Sequence, residues 1–168
     1  LNRIDDEYNG EIATVYSTEK AIHRELQDAD VVIGSVLIPG ANAPKLIKKS
    51  YLKDMKKGAI IVDVAIDQGG CAETSRPTTH EDPVYMVDGI LHYCVTNMPG
   101  VVANTSTIAL TNATSRYLNL IANRGLKQAC QVVPLLKTGL NTMNGQITHP
   151  AVAQALGYTY VDPTKFLE

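Results

Sequence analysis

The chain has 168 residues, a formal net charge of −2, 45% hydrophobic and 19% charged residues. Such values suit a globular core that buries about two-thirds of the unfolded surface. A pI near 6.1 without a basic stripe speaks against nucleic acid, and the absence of a signal peptide or of a run of about 18 apolar residues predicts a soluble, cytoplasmic protein with no membrane partner. The three cysteines, Cys71, Cys94 and Cys130, have neither metal nor redox spacing, so free thiols and no metal site are expected.

The chain opens at Leu1 and enters at once into Asn2-Arg-Ile-Asp-Asp-Glu, which reads as the tail of a helix already under way, so a fragment of a longer protein is expected. Glu11 to Tyr16 alternates loosely and predicts a short strand. Ser17 and Thr18 suit the N-cap of a helix over 19–28, with Ile22, Leu26 and Ala29 on one face. Val31 to Ile38 is a continuous apolar run, a buried strand that ends in a loop over 39–44. Pro44 suits the first turn of a following helix that carries Leu46, Ile47, Tyr51, Leu52 and Met55 and stops at Lys56-Lys57-Gly58.

Ala59 to Ile66 is the third strand, and its only charge is Asp63. A strand so apolar is usually covered on both faces, as in a parallel sheet with helices above and below. Asp67, Gln68 and the pair Gly69-Gly70 follow it, where ligands bind in such sheets. Residues 70–88 read as a long polar loop, Ile90 to Val95 as a fourth strand, and Thr96 to Gly100 as its exit. Thr105 or Ser106 then caps a long helix to about Asn123, with Leu110, Ala113, Tyr117, Leu120 and Ile121 as its stripe and Gly125 after it. Asn144-Gly145 predicts a hairpin, and 150–156 a last helix closed by Gly157; this tail has no core of its own. The order describes the latter part of a doubly wound α/β (Rossmann) parallel sheet followed by a C-terminal helical segment.

Asp67 is the leading candidate for chemistry, weighed against a plain turn residue. Asn97 ends the next strand and is weighed against an Asx turn before Pro99; Asp67, Gln68 and Asn97 are expected to converge at one crevice. Val36 and Leu37 suit a flat ring or ordinary core packing. His92 reads as a satisfied strand residue and His80 as a solvated one, while Ser75, Arg76 and Thr78 offer an anion site or ordinary loop chemistry. There is no Ser-His-Asp order, P-loop or Gly-x-Gly-x-x-Gly, so residues alone lead only to a nucleotide-type sheet with an acidic crevice.

The run VDVAIDQGGC from Val62 to Cys71, with Glu73, SRPTT from Ser75, HYCV from His92, NMP from Asn97, TST from Thr105, ALTNAT from Ala109 and Asn141-Thr142, resembles bacterial L-alanine dehydrogenase over essentially the whole chain. The resemblance implies NAD-dependent, reversible oxidative deamination of L-alanine to pyruvate and ammonia. Residues 1–103 would be the second part of the NAD-binding Rossmann domain, and 104–168 the C-terminal segment of a discontinuous substrate domain. By the same resemblance Asp67 is the acid–base carboxylate, Asn97 and Met98 lie between cofactor and substrate, Val36, Leu37, Val64 and Val95 line the cofactor pocket, and Ser17 lies near the adenosine. A homo-oligomer, by resemblance a hexamer, is implied. The family's catalytic Lys and His, substrate Arg, glycine loop and ribose-binding Asp would lie upstream of Leu1. That leaves NAD against NADP open and predicts a chain inactive by itself. The alternatives are the NAD-binding subunit of proton-translocating transhydrogenase, whose segments resemble Glu-Gln-Gly-Gly and Asp-Leu-Pro where this chain has DQGG and NMP, and a non-catalytic binding or assembly fragment.

Overall fold

Between residues 31 and 93 short apolar runs pair as a four-stranded sheet in a computed structural model that describes residues 1–39 and 41–167. Gly40, within the expected 39–44 loop, and Glu168 lie outside the described residues. The chain divides into two compact units, one of residues 1–37 and 42–96, the other of residues 38–41 and 97–168.

In the first unit, helix α1 (Asn2–Glu7) buries no residue. Helix α2 (Glu19–Asp28) starts where the hydroxyl of Thr18 accepts the amide of Ala21, and it buries Leu26. Strands β1 (Val31–Gly34), β2 (Ile60–Asp63), β3 (Val84–Val87) and β4 (Ile90–Tyr93) lie in the order β1-β2-β4-β3. β1, β2 and β4 run parallel, and β3 closes one edge antiparallel to β4. Leu26, Ile47, Tyr51, Leu52, Met55, Ile61 and Ile90 form the core on one sheet face. The other face is apolar but incompletely covered: Val31 and Ile33 are exposed, and their neighbours Ile60 and Val62 are half-buried.

Several expectations need correction. Residues 11–16 form no strand; Ile12, Val15 and Tyr16 are exposed and pair with nothing in the sheet. The second and third strands are shorter than expected, ending at Gly34 and Asp63. No α-helix follows Pro44, because Ile47 forms a parallel bridge to Ala72 and draws the backbone out straight; only a 3-10 turn, Lys49–Asp54, remains. The expected long loop over 70–88 contains β3, joined to β4 by Asp88 (φ 52°) and Gly89 (φ 84°), a tight turn of the kind that needs left-handed residues.

The second unit begins with a 3-10 turn, Met98–Val102, and helix α3 (Ala103–Val132), broken by a non-helical Gly125 (φ 73°, ψ 162°). α3 starts before the expected caps; Ser106 instead donates its hydroxyl to the carbonyl of Pro99. Its expected stripe is not a buried one, since Leu110 and Ala113 are exposed and Tyr117, Leu120 and Ile121 only half-buried. Strands β5 (Thr142–Met143) and β6 (Gln146–Ile147) pair around Asn144-Gly145, and α4 (Pro150–Leu156) ends at left-handed Gly157, as expected. Among the described residues no helix is long and apolar enough to cross a membrane.

Candidate functional site

Gly34 lies opposite Asp63, and Val62 opposite Tyr93, so the three parallel strands end at one level. Beyond that level come Ser35 to Leu37 from β1, the 3-10 turn Val64–Gln68 from β2, and Cys94-Val95 from β4. Crevices at this edge are where open α/β sheets bind ligands.

The turn after β2 is built around a carboxylate. Asp63 is fully buried, and its Oδ2 accepts the amides of Cys71 (2.8 Å) and Ala72 (3.3 Å) and the hydroxyl of Ser75. Oδ1 is buried without a hydrogen-bond partner among the described residues. The chain between, residues 64–70, is therefore a closed bow with both ends tied to Asp63. Gly69 (φ 93°) and Gly70 (φ 77°) turn it back, and Gly70 has a further reason to lack a side chain: a Cβ there would stand 2.8 Å from Asp63 Oδ2 and 2.7 Å from Ser75 Cβ. Lys45 braces the outside, donating to the carbonyls of Gly69 and Ala72, and the amide of Ala43 donates to the carbonyl of Gln68 at 2.8 Å. Burial and the neighbouring Asp63 carboxylate push the Cys71 thiol up to about 12, so it stays neutral.

Asp67 is exposed on this braced bow, Gln68 is half-buried, and Val64 is 47% exposed. Leu37 is exposed and Val36 half-buried. Val36 shares with Ser17 a cleft of about 590 Å³, walled by Val15, Ile22, Val32 and Ile47. Val95 is buried and bridges to Thr78. Asn97 and Met98 belong to the second unit; Asn97 is exposed and leads the turn Met98–Val102.

The histidine and anion readings resolve plainly. His92 is fully buried between the Thr74 hydroxyl (2.7 Å) and the Ile90 carbonyl (3.1 Å), a satisfied strand residue whose pKa burial lowers. His80 is exposed. Ser75 is committed to Asp63, Thr78 donates to the Pro83 carbonyl, and the Arg76 guanidinium lies 4.0 Å over the Tyr85 ring, so the three do not form an anion cradle. All three cysteines are buried and unpaired. Sequence reasoning missed Asp63 and Lys45 as organisers, although a lone charge inside an apolar run was a legible sign of the first.

A sheet with parallel strands ending level, and a glycine-turned acidic bow at that edge, defines the α/β class. Comparison narrows it. The family model described as "Alanine dehydrogenase/PNT, C-terminal domain" matches residues 1–150. The alanine dehydrogenase of Halomonas elongata is 50% identical over 167 residues, 99% of this chain and 45% of that protein. That of Mycolicibacterium smegmatis is 47% identical over an equal span. A solved L-alanine dehydrogenase structure is similar with a TM-score of 0.77 and 42% identity, over 93% of this chain and 43% of the other. A transhydrogenase structure from Sinorhizobium meliloti is similar with a TM-score of 0.50 and 26% identity, over 80% of this chain and 36% of the other. The chain belongs to the alanine dehydrogenase/PNT C-terminal domain family. It spans 45% of the length of the curated relatives named above, less than half.

Proposed function

We propose that this chain is the C-terminal portion of a cytoplasmic, homo-oligomeric (by resemblance hexameric) L-alanine dehydrogenase, with residues 1–103 in the NAD-binding domain and 104–168 in the substrate domain. The observation that carries the reading is the placement of Asp67 on a braced turn beyond the level carboxyl ends of three parallel strands. The likeness to transhydrogenase is lower and supports that alternative less.

The residues present fit a ring end of a dinucleotide. The cleft lined by Ser17 and Val36 has mostly apolar walls with a few polar groups, among them Ser17, Ser35 and Glu25, which suits a flat ring oriented by a few polar contacts. By the resemblance, Ser17 would lie near the adenosine, Val36, Leu37, Val64 and Val95 would line the adenine or nicotinamide pocket, and Asn97 and Met98 would lie between cofactor and substrate. NAD, when bound, supplies the hydride acceptor for the alanine Cα. Asp67 would hold and pass the proton exchanged between water and the carbinolamine during release of ammonia and pyruvate, a general acid–base role. Its exposure keeps it in contact with solvent for that exchange.

The test is Asp67→Asn in the protein expressed from its complete reading frame, assayed for NADH production from L-alanine at alkaline pH. A kcat loss of roughly two to four orders of magnitude with NAD binding intact is expected. A variant that keeps most of its kcat would refute the role. In the same assay residues 1–168 alone should be inactive and bind NAD poorly by calorimetry; turnover near that of the complete protein would overturn this.

A further inference from the structure

We propose that Asp63 is a positioning residue for the alanine dehydrogenase reaction, the anchor that fixes where Asp67 stands; this rests on the acid–base reading of Asp67 above. Asp63 ends β2, so its own backbone is held by β1 on one side and belongs to a strand paired with β4 on the other. Its carboxylate reaches across the base of the bow and takes the two amides with which the chain returns, Cys71 and Ala72, and the Ser75 hydroxyl. All three bonds fall on one oxygen, and all are charge-assisted, roughly twice as strong as neutral ones. Residues 64–70 are thereby closed into a ring through a side chain, with Asp67 near its middle.

The surroundings are shaped for that carboxylate. Gly34 sits opposite it on β1, where a Cβ would stand 3.5 Å from Asp63 Oδ1 and 2.1 Å from Cys71 Sγ. Gly70 leaves room for Oδ2 from the other side. Gly70 therefore makes way for the buried acid, and Gly34 for Cys71, whose amide the acid holds; the acid itself faces no solvent. A carboxylate is costly to bury, and an apolar residue would continue the strand at no such cost. Its place is explained by what it ties down. A displacement of about 1 Å at a reacting group can cost a hundredfold in rate, so a bow that carries a proton-transfer residue needs both ends fixed.

The experiment uses the protein from the complete reading frame, with Asp63→Asn, Ser75→Ala and, as reference, Asp67→Asn. Asparagine keeps an acceptor for the amides but loses the charge. Asp63→Asn should lower kcat per NAD-binding site about 10- to 100-fold, and Ser75→Ala about 3- to 10-fold, while NAD affinity stays within about twofold. Both should keep the KM for L-alanine within about twofold, so that the loss falls on kcat. Amide hydrogen exchange at Cys71 and Ala72 should speed up at least about tenfold in Asp63→Asn with β1 and β4 unchanged. Folded Asp63→Asn with full kcat per site, or with unchanged exchange at those amides, overturns the proposal. If Asp63→Asn does not fold, Ser75→Ala decides: full kcat per site there overturns it. If Asp67→Asn itself retains kcat, the acid–base reading falls, and the exchange data still report whether Asp63 holds the bow.

Discussion

The two units of this chain spend their apolar residues differently. In the first, α2, the sheet and the turn Lys49–Asp54 enclose a continuous core in which Leu52 and Ile61 are wholly buried. In the second, α3 runs from Ala103 to Val132 and buries only Ala129 and Cys130, while Ile108, Leu110 and Leu118 stay exposed. The contrast teaches that regular hydrophobic spacing specifies a helix without specifying what covers it. Tertiary order in the first unit comes from residues with particular partners; in the second it comes mostly from local geometry.

The largest expected effect separates those cases directly. Leu52→Ala should destabilise the chain by about 2–5 kcal/mol, because it empties a filled site, whereas Leu118→Ala should stay within about 0.5 kcal/mol. Urea midpoints of the two variants check this, and equal losses would break the comparison. Next come two glycines with nearly the same positive φ, Gly70 (77°) and Gly145 (75°). Alanine at Gly145 meets nothing within 4 Å and should cost only the left-handed strain, about 1–2 kcal/mol. Alanine at Gly70 must also displace Ser75 and Asp63, adding about 1–3 kcal/mol. Thermal unfolding of both variants isolates crowding from strain, and a Gly70 variant no worse than the Gly145 one would count against the bow's packing.

The smallest effect is a pH dependence. Burial lowers the pKa of His92 in the folded chain below its ordinary value of 6.5. Between those two values the unfolded state binds more protons, so stability rises with pH there. The contribution is complete above about 6.5 and is lost as acid takes the pH down toward the folded value. Denaturant midpoints measured from neutral to mildly acid pH should fall, and His92→Gln should flatten that slope. A slope unchanged in His92→Gln would place the acid sensitivity elsewhere.

Much of the molecule was legible in its sequence where the signal is local. Thr18 before Glu19, Asn144-Gly145 between Thr142-Met143 and Gln146-Ile147, and Gly157 after Leu156 each act within a few residues, and each formed the element expected. Errors came where a distant partner decides. Residues 11–16 have strand composition but no neighbour in the sheet, and Ile47 left its expected helix to bridge Ala72. The strand at Val84–Val87 was missed although Asp88-Gly89 announced its turn, because proline and polar residues before it masked the alternation. Asp67 was singled out from its position after an apolar run, and it stands exposed on the turn that follows β2. Asp63 was not, because its role depends on amides and a hydroxyl that return to it later in the chain.

The hairpin of β3 and β4 has a consequence for the order in which the sheet assembles. Its strands are joined by a two-residue turn, whereas β1 and β2, and β2 and β4, are parallel and must wait for long crossovers to close. Short hairpins form in about 1–10 μs, and loop closure slows with every residue between partners. The Asp88-Gly89 turn thus gives the chain a local seed whose inner strand, β4, then offers its open edge to β2, and β2 in turn to β1. On this view Gly89→Ala, at a left-handed position, slows folding rather than speeding unfolding. Stopped-flow rates that changed only in the unfolding limb would place the seed elsewhere in the sheet.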